Sequence, residues 1–189
     1  MDIQIIKNMH LRLHRNGFTL IELIIVILLI SVISVSIIPR FFDKQGVDEH
    51  LFLQQLVGLL RLQQTKAMQN TTETCHRVLF TSSRFGVTFD NTNNEDCTST
   101  ALPTEYSAIA ADFDVSHYGI SASEVVSSSV SFSITSSFNN RIYFNLLGCP
   151  VTSEGAQCGV TDVLVTISGS ETLYVCIESQ GYIHKGACT

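Results

Sequence analysis

Three groups of residues in this chain could do chemistry. The first is the junction Arg15-Asn16-Gly17-Phe18-Thr19-Leu20-Ile21-Glu22. There a small residue closes a basic leader, and a lone carboxylate stands five residues into an apolar run that reaches Ile38. Cleavage after Gly17 removes the charged leader, keeps the apolar segment and leaves a free amino group on Phe18. A carboxylate within lipid costs roughly 2.5–3.5 kcal/mol on insertion scales, so Glu22 calls for a partner. The nearest cation is that new ammonium, one helical turn away within the chain or on a neighbouring copy. The second group is six cysteines, Cys75, Cys97, Cys149, Cys158, Cys176 and Cys188, all beyond the apolar run. The third is the acidic, asparagine-rich stretch Asp90–Asp96 with the scattered histidines His50, His76, His117 and His184.

The elements that must position these groups follow from the pattern of the 189 residues. Phe18 to Ile38 is 21 residues, about 31 Å as a helix, which matches the ~30 Å hydrocarbon core of a bilayer. Lys7, Arg12 and Arg15 precede it with only Asp2 opposing them, so the positive-inside rule keeps residues 1–17 cytoplasmic and sends the rest across. Cysteines confined to the far side read as a disulfide framework in an oxidising compartment, the periplasm of a bacterium. Six cysteines allow fifteen pairings. Sequence alone does not choose among them: Cys149–Cys158, which closes a short loop containing Gly155, is the preferred pair, while Cys176–Cys188 would tie the last strand to the tail and Cys75–Cys97 the first hairpin to its loop. The formal charge is −6; the leader holds three basic residues and one acidic, so the remainder carries −8. An acidic body argues against nucleic acid as a partner.

Residues 18 to about 70 read as one interrupted helix. Pro39 lacks an amide proton and kinks or opens it, and Gly46 is a second weak point. Over residues 39–70 an amphipathic stripe of Leu53, Leu56, Val57, Leu60 and Ala67 awaits a sheet. The helix ends near Asn70-Thr71-Thr72. From residue 71 to 189 the period changes to two. Strands are predicted at Arg77–Phe80, Arg84–Phe89, Val130–Thr135, Arg141–Asn145, Val163–Ile167, Leu173–Ile177 and Gly181–Ile183. Ser168-Gly169-Ser170 and Ser179-Gln180-Gly181 carry turn chemistry. Asp90–Ala101 reads as loop, and Ser107–Ser129 has no clear period. The fold class is therefore α+β: a long N-terminal helix, membrane-spanning in its first half, packed on a C-terminal antiparallel β-sheet.

A secretory signal peptide places its small-residue cleavage site after the apolar stretch; here Gly17 stands before it. Arg15-Asn16-Gly17-Phe18-Thr19-Leu20-Ile21-Glu22-Leu23 resembles the class III leader junction of type IV prepilins and type II secretion pseudopilins. The resemblance implies that a prepilin peptidase cuts between Gly17 and Phe18 and N-methylates Phe18. It implies that Glu22 meets the amino terminus of a subunit already in a filament, and that Pro39 is the helix-kinking proline. The late stretches Ile142–Gly148, Val163–Ile167 and Val175–Ile183, with Arg61–Ala67, resemble H-type minor pseudopilins and their minor-pilin relatives. The start Cys75-His76-Arg77-Val78-Leu79 is most similar to minor pilins of mannose-sensitive haemagglutinin pili.

By that resemblance the chain is a minor subunit of a type IV pilus, with a pseudopilin, an adhesin or a DNA-binding minor pilin as alternatives. Its partners would be prepilin peptidase, other pilin subunits and an inner-membrane assembly platform. It would sit in the inner membrane as a single pass and then in a surface pilus. The tail His184-Lys185-Gly186-Ala187-Cys188-Thr189 offers DNA one lysine. No cofactor is expected. Zinc is disfavoured because no C-x-x-C occurs, and calcium because Asp90–Asp96 lacks the loop glycine and the closing glutamate, where Ala101 stands. No G-x-S-x-G elbow or paired histidine motif supports an enzyme.

Overall fold

Gly46 takes φ +88°, a left-handed conformation that no side chain favours, and a new helix starts immediately after it. The computed structural model describes residues 18–42, 46–69, 75–89, 95–106, 118–126 and 128–189. The leader with Gly17, the expected helix end at Asn70-Thr71-Thr72, the loop residues 90–94 and the stretch 107–117 with His117 lie outside the described residues. Two units result, Met1–Asp43 and Lys44–Thr189. The first holds helix α1, Leu20–Phe42; the second, the head, begins with helix α2, Val47–Gln69. One interrupted helix is thus two, and the end of α1 falls three residues beyond Pro39.

Helix α2 buries the face its spacing announced. Phe52, Leu53, Leu56, Val57, Leu59, Leu60 and Ala67 are all removed from solvent. Against them lie two four-stranded antiparallel sheets rather than one. The first has the order β2-β1-β4-β5, with β1 Arg77–Phe80, β2 Phe85–Gly86, β4 Arg141–Phe144 and β5 Pro150–Val151. The second has the order β3-β6-β7-β8, with β3 Ser131–Ile134, β6 Val163–Ser168, β7 Thr172–Ile177 and β8 Ile183–Lys185. A short helix α3, Ala122–Val125, stands between β2 and β3, in the stretch whose period was unreadable.

The chain changes sheets between β3 and β4. A single 3-10 turn, Ser136–Phe138, is followed by Asn139 and Asn140 at φ 47° and 59°. Asparagine is among the few residues that adopt this conformation at low cost, and two in succession re-aim the backbone. So β3 pairs with β6 (Phe132 opposite Ile167) and β4 pairs with β1 (Ile142 opposite Val78). The sheets are joined through rings. Phe132 meets Phe52 of α2 at 5.9 Å and Phe85 of β2 at 5.2 Å between centroids, both edge to face.

The last strand starts two residues later than expected, because Gly181 at φ +94° completes a turn by donating its N–H to Glu178 O at 2.7 Å. Strand β5 was not expected at all. It exists because Asn145 Oδ1 accepts from the N–H groups of Leu147 and Cys149 and folds the chain back on β4.

Two polar side chains hold pieces of the head that apolar contact alone would leave loose. Arg77, 1% exposed, donates to the carbonyls of Cys97, Asp96 and Ser99 at 2.7, 3.1 and 2.5 Å and to Thr88 Oγ1 at 2.6 Å. Its fork therefore supports the loop that follows residue 95. Glu49, in the first turn of α2, accepts from the backbone N–H of Ser170 and from Ser170 Oγ at 2.8 Å, tying the helix start to the β6–β7 turn.

The structure joins Cys75–Cys97, Cys149–Cys158 and Cys176–Cys188, with sequence separations of 22, 9 and 12. Loop-closure entropy ranks them. Replacing Cys75 and Cys97 by alanine should cost roughly 3.4 kcal/mol and replacing Cys149 and Cys158 roughly 2.6 kcal/mol. Urea unfolding of the two double variants gives the order directly, and a reversed order would contradict it.

Burial alone would raise the Glu49 carboxyl, but hydrogen bonds from backbone N–H groups and the Ser170 hydroxyl hold it below its ordinary value of 4.5. A depressed folded pKa means that the contribution is complete above the unfolded value and is lost as pH falls through the folded one. Glu49→Gln should therefore lose less stability between pH 5 and pH 2 than the wild type does. Equal losses in acid unfolding curves would remove Glu49 from the account.

Candidate functional site at the N-terminal junction

The junction residues that the structure describes are Phe18, Thr19 and the first turns of α1. Phe18 is 81% exposed and precedes the helix. Thr19 is the residue before the first helical one, and its Oγ1 accepts from the Glu22 backbone N–H at 3.3 Å, while its carbonyl accepts from Leu23 N–H at 3.2 Å. Thr19 is therefore the helix cap, and Glu22 is the third residue of the first turn.

Sequence reasoning took the role of Glu22 from its charge and overlooked its neighbour. The signal was present: Thr19-Leu20-Ile21-Glu22 has the S/T-x-x-E spacing that marks helix starts. The cap fixes the first turn. The carboxylate also lies at the positive end of the helix dipole, where an anion is favoured.

Beyond Glu22 the described part of α1 shows apolar side chains to its surroundings on every side. Leu23, Ile24, Ile25, Val26, Ile27, Leu28, Leu29, Ile30, Val32 and Ile33 are all exposed. The two serines in this stretch bond back to their own helix, Ser31 Oγ to Leu28 O and Ser34 Oγ to Ile30 O, each at 2.7 Å. Neither hydroxyl is left asking for water. Among the described residues no helix is long and apolar enough to cross a membrane, and the side-chain surroundings of α1 are described as far as Ser34. Pro39 lies within α1.

The remaining chemistry-bearing residues are in the head and do not converge. His50 Nε2 meets Glu171 Oε1 at 2.6 Å, His76 Nδ1 lies 3.9 Å from Glu95 Oε2, and His184 Nε2 lies 3.6 Å from Glu178 Oε1. Each pair stands on different elements. Among the described residues no group of three or more His, Cys, Asp or Glu side chains could hold a metal ion. Among the described residues one polar cluster joins Lys66, Glu95, Tyr118 and Gln63, with His76 beside Glu95. Lys66 Nζ donates to Glu95 and, at 2.9 Å, to Tyr118 Oη, and Gln63 Nε2 donates to Glu95 Oε1 at 3.2 Å. Burial works against the Lys66 charge, but the bonds to Glu95 and Tyr118 outweigh it and hold its pKa above the usual value. This cluster fastens the segment that follows β2 to α2.

Residues 12–38 match the model of the prokaryotic N-terminal methylation motif. Neither a curated protein nor a solved structure matches the chain. The matched segment contains Gly17, Phe18, Thr19 and Glu22. This motif at the head of the chain, with an α+β layout of N-terminal helix, second helix and antiparallel sheets behind it, supports a place among type IV pilins and pseudopilins.

Proposed function

We propose that the chain is made as a prepilin, cut between Gly17 and Phe18 by a prepilin peptidase, N-methylated on Phe18 and assembled as a minor subunit of a type IV pilus. The observation that supports this reading is the methylation motif over residues 12–38, a segment that contains Gly17, Phe18 and Glu22. Before assembly residues 18–38 cross the inner membrane, with the leader in the cytoplasm and the disulfide-bonded head in the periplasm. Pro39 bends the helix where it leaves the lipid, since it withholds one helix hydrogen bond and its ring crowds the preceding turn.

Assembly then exchanges lipid for neighbouring helices. Within a bundle a carboxylate must be paired or neutralised. Glu22, held at the first turn by the Thr19 cap, meets the methylated ammonium of a neighbouring Phe18 and sets the register of the incoming helix. The head's cysteines and the looser likeness of its late strands to minor pilins support a minor rather than a bulk subunit. A secretion pseudopilin would use the same steps for a different client; loss of pili or loss of secretion on deletion separates the two.

Mass spectrometry of the mature N-terminus should find a chain that begins at methylated Phe18. A chain still carrying Met1, or one cut beyond Ile38, would defeat the proposal. Glu22→Val should be inserted and cleaved as the wild type is, yet enter filaments at least roughly tenfold less, the effect of losing one buried charge pair. Incorporation at the wild-type level, measured by immunoblot of sheared filaments, would reject the role given to Glu22.

A further inference from the structure

The outer face of the second sheet is built largely of hydroxyls. Val163, Val165 and Ile167 of β6 and Val175 and Ile177 of β7 are buried, so the residues between them point outward. Antiparallel register sets these in rows. Ser131 stands opposite Ser168, and Ser168 opposite Thr172; Ser133 stands opposite Thr166, and Thr166 opposite Tyr174. The hydroxyls thus form two rows across β3, β6 and β7, spaced about 4.8 Å between strands and about 6.8 Å along them. Ser131, Ser133, Thr172 and Tyr174 are exposed, while Thr166 and Ser168 are half-buried. Ser131 Oγ donates to Ser168 O at 3.4 Å, and among the described residues the other hydroxyls of the array make no hydrogen bond.

One solvated face is ordinary for an antiparallel sheet, but a face without charge is not. No Asp, Glu, Lys or Arg stands at any position of the array. The charges that border it are paired or turned away. Glu171 in the β6–β7 turn meets His50 at 2.6 Å, Glu178 lies 3.6 Å from His184, and Lys185 stands opposite Val175 of the buried side. Aromatic rings close one flank. Tyr174, 38% exposed, ends the second row, and on β8 His184 stands opposite Cys176 on the same outer face. Tyr182, 63% exposed, stacks on His184 with centroids 5.3 Å apart.

We propose that this outer face binds a neutral, extended polysaccharide, with hydroxyls meeting the rows and sugar rings lying against Tyr174 and Tyr182. Ser, Thr and Tyr hydroxyls each donate and accept, as sugar hydroxyls do, so the two arrays pair without stranding a charge. The C–H face of a sugar ring suits the electron-rich face of an aromatic ring. An anionic polymer finds no cation in the array, and nucleic acid needs a basic stripe. Protein interfaces are enriched in apolar and aromatic anchors and are poor in serine, so a protein partner fits less well. The proposal gives the head a ligand and stands whether or not the leader is cut.

Retention of the detergent-solubilised full-length chain on a cellulose film tests it, with an alginate film as the anionic comparison. The wild type should bind cellulose, and binding should hold as salt rises from about 0.05 M to about 0.5 M, since no charge takes part. Tyr174→Ala should weaken binding roughly tenfold and Thr166→Val roughly fivefold, the latter being the loss of one ordinary hydrogen bond. Thr166→Val keeps the β-branched shape, so its melting temperature should stay within about 2 °C of the wild type. Absence of retention on cellulose, equal or stronger retention on alginate, loss of binding with salt, or unchanged binding of either variant overturns the proposal. In living cells Ser133→Cys should react with a maleimide; protection there would mean that a protein covers the face, and would overturn it too.

Discussion

The head is arranged around the burial of one face of α2, the only long helix among its described residues. Phe52, Leu56, Leu59 and Leu60 are each 3% exposed or less, and α2 contacts strands of both sheets. Neither sheet is wide, and several strands are two to four residues long. Short strands of this kind do not hold together by pairing alone. They need a common apolar surface, and α2 supplies it. The change of sheet at Asn139 and Asn140 is tolerated for the same reason. Both halves of the chain still deliver Phe132, Phe85 and Ile142 to the helix side.

Where apolar contact is lacking, side chains with several donors or acceptors act as fasteners. Arg77 supports a loop from within, Arg84 Nη1 donates to Pro103 O at 2.7 Å, and Gln64 Nε2 reaches both Gly148 O at 2.8 Å and Gly181 O at 2.6 Å. Most of these partners are backbone carbonyls. Carboxylates do the converse work toward main-chain N–H groups: Asp96 accepts from Thr98 and Ser99, Asp162 from Ser179 and Glu105 from Ser123.

Periodicity carried much of this to the reader of the sequence. The α2 stripe, the alternation in β3 and strands β1, β4, β6 and β7 were legible because side-chain period reports which face is buried. The cysteine pairing, fifteen possibilities that sequence could not choose among, is Cys75–Cys97, Cys149–Cys158 and Cys176–Cys188 in the structure. What escaped was set by long-range or single-residue effects. The crossing between sheets from β3 to β4 runs through two left-handed asparagines, β5 depends on an Asx turn at Asn145, and the roles of Arg77 and Glu49 depend on carbonyls and amides up to 121 positions away. The Thr19 cap escaped for another reason, since its T-x-x-E spacing sat inside a motif already assigned to Glu22.

The link between Cys176 in β7 and Cys188 near the C-terminus has a mechanical meaning. Strand β8 is an edge strand, attached to the sheet through β7 alone. Pulled from its free end, such a strand would come away one hydrogen bond at a time, the weakest way to load a sheet. The disulfide intercepts that path, since tension applied at Thr189 reaches β7 through a covalent bond before it reaches the β7–β8 ladder. An edge that would open like a zipper is loaded instead as part of a three-strand body, which must shear as a whole to fail.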